Sequence, residues 1–435
     1  MSGDWQDRRL ADIADIRVSN VDKKSNPVEQ PVRLCNYMDV YSNLYVGPEL
    51  EFMEASASPS EIERFALKRG DVVITKDSET PDDIGIPAVV TDDIPSLVCG
   101  YHLALIRPRA DEVNSIYLAK QLSTPRVARY FAVRATGSTR YGLSVSSIES
   151  VSIPAPPKPE QDKIAEVLSS VDLAIEQTEV LVAKQRRIIT GLMRDLLARG
   201  IDEGGSLRSE RIHTFKNSPI GTVPVEWSSS TLQHVGDWHS GGTPSKGNPS
   251  YWGDEVPWLC PKDMKVFDIA TTTDKLSRKG VLHGTKEVPV HSVFIVVRGM
   301  ILAHTFPVVI SSVPMAFNQD VKAIVAASHV QSRFLAYWFV ANAHSLLKVT
   351  TTATHGTRRF DMKEVFAVPI ALPKKDEQTE IVKRLDSATA DVAANVKLAA
   401  KLRRLKTGLM QDLLSGRVRV TPLLQEANQA VAQVS

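Results

Sequence analysis

The chain repeats itself at long range, and that repeat restricts its possible folds more than any other feature. Glu160, Gln161, Ile164, Leu168 and Ser170 return as Glu377, Gln378, Ile381, Leu385 and Ser387, each 217 positions later. At the same offset Leu181, Ala183, Lys184, Arg186 and Arg187 return as Leu398, Ala400, Lys401, Arg403 and Arg404. Thr190, Gly191, Leu192, Met193, Asp195, Leu196 and Leu197 return as Thr407, Gly408, Leu409, Met410, Asp412, Leu413 and Leu414. Without one gap, 17 of the 38 positions from 160 to 197 are identical to their counterparts. A duplicated arrangement follows, and it takes precedence over any local reading of the sequence.

Each copy starts behind prolines, Pro154, Pro156, Pro157 and Pro159 in the first and Pro369 and Pro373 in the second. Proline stops a strand and suits a first helical turn. Ile164, Leu168, Val171, Ile175, Thr178, Val182, Gln185, Ile189, Leu192 and Leu196 then alternate spacings of four and three, which is a heptad seam. The second copy keeps the phase with Ile381, Leu385, Ala388, Val392, Asn395, Ala399, Leu402, Lys406, Leu409 and Leu413. Two helices of roughly 55–60 Å are predicted, paired with each other as an antiparallel coiled coil. The apolar seam residues do the pairing, while Thr178 and Asn395, at one seam position, would fix the register. Two unrelated amphipathic helices, each packed into its own domain, is the alternative.

The helices follow two blocks that echo one another more faintly. Trp5, Leu10, Ile13 and Asp15 match Trp227, Leu232, Val235 and Asp237 at an offset of 222. Arg69-Gly70-Asp71 ahead of Val72-Val73-Ile74 parallels His291-Ser292 ahead of Val293-Phe294-Ile295, a turn feeding a strand. Gly137-Ser138-Thr139-Arg140-Tyr141 parallels Gly356-Thr357-Arg358-Arg359-Phe360. Strand-like runs, among them 293–297 and 308–310, mix with helical stretches at 115–122 and 332–347. The expected class is α+β, with two pseudo-repeated domains. The expected segments are a first domain at 1–153, a helical region at 154–199, a linker at 200–217, a second domain at 218–369, a helical region at 370–416 and a tail at 417–435.

This organisation resembles the specificity subunits of Type I restriction-modification systems. The likeness rests on the proline-rich start of each helix, Glu-Gln three residues before an isoleucine, and Thr-Gly-Leu-Met-x-Asp-Leu-Leu at its far end. Pro224-Val225-Glu226-Trp227, Gly242-Thr243-Pro244, Tyr251-Trp252, Val256-Pro257-Trp258 and Phe317-Asn318-Gln319-Asp320 also resemble family positions. The first block lacks Gly-Thr-Pro and Tyr-Trp after Trp5. The resemblance implies two target-recognition domains, each reading one half of a split double-stranded DNA target, with the paired helices setting the spacing. It implies a non-catalytic subunit that joins two methyltransferase subunits and recruits restriction motor-nuclease subunits. S-adenosylmethionine, ATP and Mg would then sit on the partners, and no cofactor or metal on this chain.

The sequence holds only fragments of enzyme motifs. Asn248-Pro249-Ser250-Tyr251 is one substitution from the base-holding loop of an adenine methyltransferase, but no buried strand runs into it and no Gly-rich cofactor turn appears, so it reads as a turn. The stretch 241–247 suggests a phosphate loop but lacks Gly-Lys-Ser/Thr. Asp77, Glu79, Asp82 and Asp83 with Lys76 come nearest to a nuclease cluster and read as a solvated loop. His234 and His239 lack partners for zinc or a triad, and Cys35, Cys99 and Cys260 form no Cys-x-x-Cys pair. Three scattered cysteines suit a reducing cytosol, and the start of the sequence shows no signal-peptide pattern, so a cytoplasmic protein away from membranes is expected. A self-sufficient methyltransferase and a coiled-coil adaptor joining two ligand-binding domains are the competing functions.

DNA readout needs Arg, Lys, Asn or Gln at base edges and basic or hydroxyl groups at phosphates. The candidates are Arg140 and Tyr141, Arg358 and Arg359, Lys76 and Arg298 just after apolar strands, and Thr243, Ser245 and Lys246; plain exposed loops are the alternative for each. The helix pairing is assigned to Ile164, Leu168, Val171, Ile175, Ile189, Leu192, Leu196, Ile381, Leu385, Val392, Leu402, Leu409 and Leu413. Lys184, Arg186, Arg187, Lys401, Arg403, Arg404 and Lys406 read as a solvated face or as contacts to phosphate or to an acidic partner. A net charge of only +2 gives no basic footprint, so the isolated chain is expected to bind DNA weakly.

Overall fold

The protein is described from a computed structural model covering residues 5–219, 221–352 and 357–425. It divides into two compact units, residues 1–179 with 397–435 and residues 180–396. Both boundaries fall inside a long helix, Lys158–Arg199 of 42 residues and Lys375–Leu414 of 40 residues.

In the first unit a five-stranded sheet has the order Ala14–Val18, Leu103–Pro108, Val72–Thr75, Pro87–Val90, Tyr45–Val46, antiparallel except for the last pair. Alternation along a strand sends successive side chains to opposite faces. Val72 and Ile74 accordingly join Tyr117, Leu118, Leu122, Ile164 and Leu168 on the helical side. Val73 faces a second cluster with Val32, Leu34, Cys35 and Phe65. With both faces covered, the strand reads as a continuous β-branched apolar run. The second cluster is built on a three-stranded sheet, Met53–Ala57, Gln30–Cys35 and Leu97–Cys99, its last pair parallel.

The second unit repeats this topology. Its five strands run Gly236–Ser240, Val321–Ala326, Val293–Val296, Val308–Ser311, Asp268–Ile269, again antiparallel except for the last pair. Beside them lie Lys275–Leu276, Trp252–Leu259, Met315–Phe317 and Glu287–Val288, with Trp252–Leu259 parallel to Met315–Phe317. The helical stretch expected at 332–347 is two helices, Ser332–Ala341 and Ala343–Leu347, parted at Asn342.

Within each unit the two long helices pack antiparallel. In the first, Lys406 reaches Asp172 at 2.6 Å and Arg403 reaches Glu179 at 2.5 Å, one partner rising in number as the other falls. In the second, Leu196 shares a core with Ile381 and Leu385, and the Asn395 amide donates to Gln185 at 3.0 Å. The polar seam position therefore finds another seam residue as partner. Thr178 instead turns back to the Ala174 carbonyl at 2.6 Å. Ile164, Leu168 and Leu413 are absorbed into the first unit's core, with Leu409 packed against it. Ile189 and Leu192 pack in the same way on the second unit's core. Val171, Ile175, Val392 and Leu402, nearer the helix middles, are half-buried.

The Glu-Gln pair that marks each repeat fastens helix to domain. In the first unit the Glu160 carboxylate accepts from the Trp5 indole at 3.3 Å and from Arg419 at 2.7 and 2.8 Å. In the second, Glu377 accepts from the Trp227 indole at 3.3 Å and from Arg208, whose second contact measures 3.2 Å. Gln161 donates to the Pro156 and Glu112 carbonyls and accepts from the Asn114 amide at the start of the helix Ser115–Leu122. Gln378 does the same with Pro373, His329 and Gln331, at the start of Ser332–Ala341. Each long helix ends at a glycine in the left-handed region, Gly200 at φ +63° and Gly416 at φ +71°. A Cβ on Gly200 would collide with Glu377, Trp227 and Arg208.

The segments expected as linker and tail are thus partly built into the units. Arg208 is buried, Phe215–Ser218 pairs with Gly221–Pro224, and Val420 belongs to the first unit's core.

Candidate nucleic-acid interface

In both units the chain leaves the buried central strand and at once forms a short strand paired with a segment from near the end of the domain. In the first unit Asp77–Ser78 pairs with Tyr141–Gly142, Tyr141 opposite Ser78 and Gly142 opposite Asp77. In the second, Arg298–Gly299 pairs with Arg358–Phe360, Arg298 opposite Arg359 and Gly299 opposite Arg358. Strand register therefore joins candidates that lie far apart in sequence in the second unit, Arg298 with Arg358 and Arg359, whereas in the first it sets Tyr141 opposite Ser78 and gives the Lys76 carbonyl to the Leu143 amide.

Around the first pair lies a cleft of about 520 Å³ lined by residues including Tyr37, Met38, Tyr41, Asp77, Tyr101, His102 and Arg140. Arg140 is exposed and has no ion pair among the described residues. Lys76 is not free, because its ammonium binds both Asp77 oxygens at 2.8 and 2.9 Å. His102 Nδ1 also meets Asp77 at 2.8 Å, at the Oδ2 that Lys76 binds. Tyr37 and Tyr41 stack at 5.4 Å, and Met38 beside them is 58% exposed. A hydrogen bond to Asp83, and then that carboxylate's charge, push the Tyr41 hydroxyl up from its ordinary value. It stays protonated at neutral pH. The cleft thus offers Lys23 and Arg140, neither in an ion pair among the described residues, together with phenolic donors, stacking faces and the carboxylates of Asp77, Glu79 and Asp83. Tyr141 itself packs partly against the core.

The second unit's cleft, about 350 Å³, is lined by Val297, Arg298, Gln319, Arg359, Phe360, Asp361 and Met362. Arg298 Nε donates to Asp320 at 2.8 Å, and Asn318 donates to the other Asp320 oxygen at 3.1 Å. The Thr243 hydroxyl donates to the side-chain oxygen of exposed Gln319 at 2.6 Å. Arg359 is exposed without an ion pair among the described residues, while Arg358 touches the Leu302 carbonyl at 3.4 Å. Ser245 and Lys246 are exposed but do not line this cleft; the Ser245 carbonyl accepts from the Trp252 indole at 3.2 Å. Gly356, expected beside Arg358, lies outside the described residues.

Sequence reasoning did not single out Asp77 and His102 as a pair, nor Gln319 and Asp320 as site residues. The signal for the latter was the stretch Phe317-Asn318-Gln319-Asp320, whose role depends on a strand crossing that spacing does not reveal. Asn248-Pro249-Ser250-Tyr251 is a single 3-10 turn capped by Asn248, whose side chain accepts from the Ser250 amide at 3.1 Å. Among the described residues no three His, Cys, Asp or Glu side chains are grouped to hold a metal ion, and no helix is long and apolar enough to cross a membrane.

The sequence model of the family described as "Type I restriction modification DNA specificity domain" matches twice, at residues 2–183 and 224–404. The chain is similar to the specificity subunit of the Type I restriction enzyme EcoR124I/EcoR124II of Escherichia coli, 26% identical over 63% of this chain and 65% of that protein. It is also similar to the putative MjaX specificity subunit of Methanocaldococcus jannaschii, 23% identical over 96% of this chain and 94% of that one. Among solved structures, the Type I restriction-modification S subunit from M. genitalium has a like fold, with a TM-score of 0.57 at 12% identity over 94% of this chain and 96% of that chain. A chain from a structure on complex assembly and conformational transition of the type I R-M system gives a TM-score of 0.55 at 17% identity over 95% and 98%.

Proposed function

The chain belongs to the Type I restriction-modification DNA specificity family, and from that premise we propose that each unit reads one half of a bipartite DNA target through its short strand pair. The paired helices set the spacing, which for half-sites on one face of the duplex is about one turn, ~34 Å. Methyl transfer, ATP-driven motion and cleavage belong to recruited methyltransferase and restriction subunits in the cytoplasm, with S-adenosylmethionine, ATP and Mg held there. One observation carries this reading: a single strand-pair frame is built twice, and different polar side chains stand on it. The adaptor and the self-sufficient methyltransferase gain no support from the family matches.

The test is to co-express the chain with its methyltransferase and map methylated adenines across the host genome. A split motif with a fixed spacer is expected, and exchanging residues 1–153 for those of a relative should alter only one half. A continuous motif, methyl transfer by the chain alone, or both halves changing together would count against it.

Attachment of two methyltransferase subunits is supported by apolar side chains left exposed at repeat-equivalent helix positions. Leu398 and Leu405 in the first unit are 45% and 50% exposed, and Leu181 and Ile188 in the second are 43% and 55% exposed. Converting Leu398 and Leu405 to Glu should lower the assembled complex from two methyltransferase copies to one by native mass measurement. Two copies retained would remove this assignment.

A further inference from the structure

The two units correspond residue by residue at the mouths of their clefts. One residue after the central strand, Lys76 N donates to the His102 carbonyl at 2.9 Å; at the equivalent place Val297 N donates to the Asp320 carbonyl at 2.8 Å. These backbone bonds align Asp77 with Arg298 and His102 with Asp320. The side chains repeat the pairing, Asp77 with His102 and Arg298 with Asp320, each at 2.8 Å. The charges are inverted. At the aligned position stands a part-buried carboxylate in the first unit and an exposed guanidinium in the second.

We propose that this aligned position determines base specificity in each unit, with Arg298 reading a guanine and Asp77 accepting from the amino group of a cytosine. His102 and Asp320 are positioning residues. The inference rests on the DNA-recognition reading and adds which base chemistry each half takes.

Arg298 suits the task because only its Nε is engaged. Asp320 is itself held by Asn318, and the guanidinium stays 44% exposed with its terminal nitrogens unpaired among the described residues. Held at Nε, the group is presented end-on as a fork that matches the guanine O6 and N7 acceptors. Gln319, exposed and held at its oxygen by Thr243, lines the same cleft. Asp77 is acceptor-only when ionised, and its 23% exposed carboxylate is steadied by Lys76 and His102. Such a group pairs with the cytosine N4 donor and repels the guanine acceptors. A phosphate contact at either place would be blind to sequence.

The experiment uses the full chain co-expressed with its methyltransferase, reading methylated adenines genome-wide for the native protein and for R298A, R298K, D320A, D77A and H102A. The native motif should hold a G·C pair in each half. R298A and R298K should relax one such position in one half by about tenfold or more, and D320A should relax the same position less. D77A should relax a G·C position in the other half, H102A again less. Relaxation at a single base is a readout that a merely structural role would not produce. Unchanged motifs, relaxation at an A·T pair, or uniform weakening at every position overturns the inference. So does loss of all modification in both Arg298 variants while the complex still assembles, because one base contact is worth no more than roughly 150-fold. A native complex without a bipartite motif would instead sink the recognition reading itself.

Discussion

Replacing Glu377 with alanine is expected to destabilise the second unit by about 3–5 kcal/mol, the usual cost of stranding one member of a buried ion pair. The carboxylate is 14% exposed and its partner Arg208 only 9%. Burial pulls the Arg208 guanidinium down from its ordinary value, and the hydrogen bond and charge of Glu377 outweigh this to give a net rise. The same carboxylate accepts from the Trp227 indole and from the Ile201 amide at 2.9 Å, so alanine also orphans two neutral donors. Hydrogen exchange should show lost protection around 200–208, 227–231 and 369–382. In the first unit Glu160 accepts from Trp5 and Arg419, and Glu160→Ala should weaken that unit around 158–165 and 413–420. A change below about 1 kcal/mol for either variant would show that the clamp is solvent-screened and of little weight.

The Glu-Gln pair was visible in the sequence because it occurs twice, yet its purpose was not. Its tryptophan partners could be guessed from the echo of Trp5 and Trp227, but Arg208 and Arg419 lie in segments that composition alone reads as linker and tail. Long-range ion pairs of this kind are set by tertiary packing, which leaves no periodic trace. The central strands were legible because burial on both faces demands uninterrupted apolar residues, as in 72–75 and 293–296. The heptad seam predicted antiparallel helices, and it could not show that Ile164, Leu168 and Leu385 would be taken into domain cores, since the same spacing serves either partner. Lys76, Arg140 and Arg298 were selected by side-chain chemistry. What separates them is their surroundings in the fold: Lys76 is bound by its neighbour Asp77, Arg298 is held at Nε by Asp320, and Arg140 has no ion pair among the described residues.

The second large effect concerns Asp172, 5% exposed and set between Lys120, 6% exposed, and Lys406 of the other long helix, 20% exposed. The Tyr45 hydroxyl donates to it at 3.0 Å. Burial pushes this carboxyl up, but the hydrogen bonds and charges of both lysines outweigh burial and hold it below its ordinary value. Asp172→Asn should therefore cost the first unit about 3–5 kcal/mol at neutral pH, because Lys120 is left buried without its counter-charge. The pH dependence has a definite sign. A carboxyl depressed in the folded state adds stability that is fully present above its unfolded value of about 3.9 and is lost as pH falls through the folded value. The native protein should accordingly lose stability steeply below about pH 4, and the asparagine variant should show a flatter acid limb in denaturant midpoints taken across that range. Substituting Lys120, Asp172 and Lys406 together with Met, Leu and Met removes the stranded charge and should restore much of the loss. If the triple variant were as unstable as Asp172→Asn, the cost would lie in packing at this junction of sheet and helices, and the ionic account would fail.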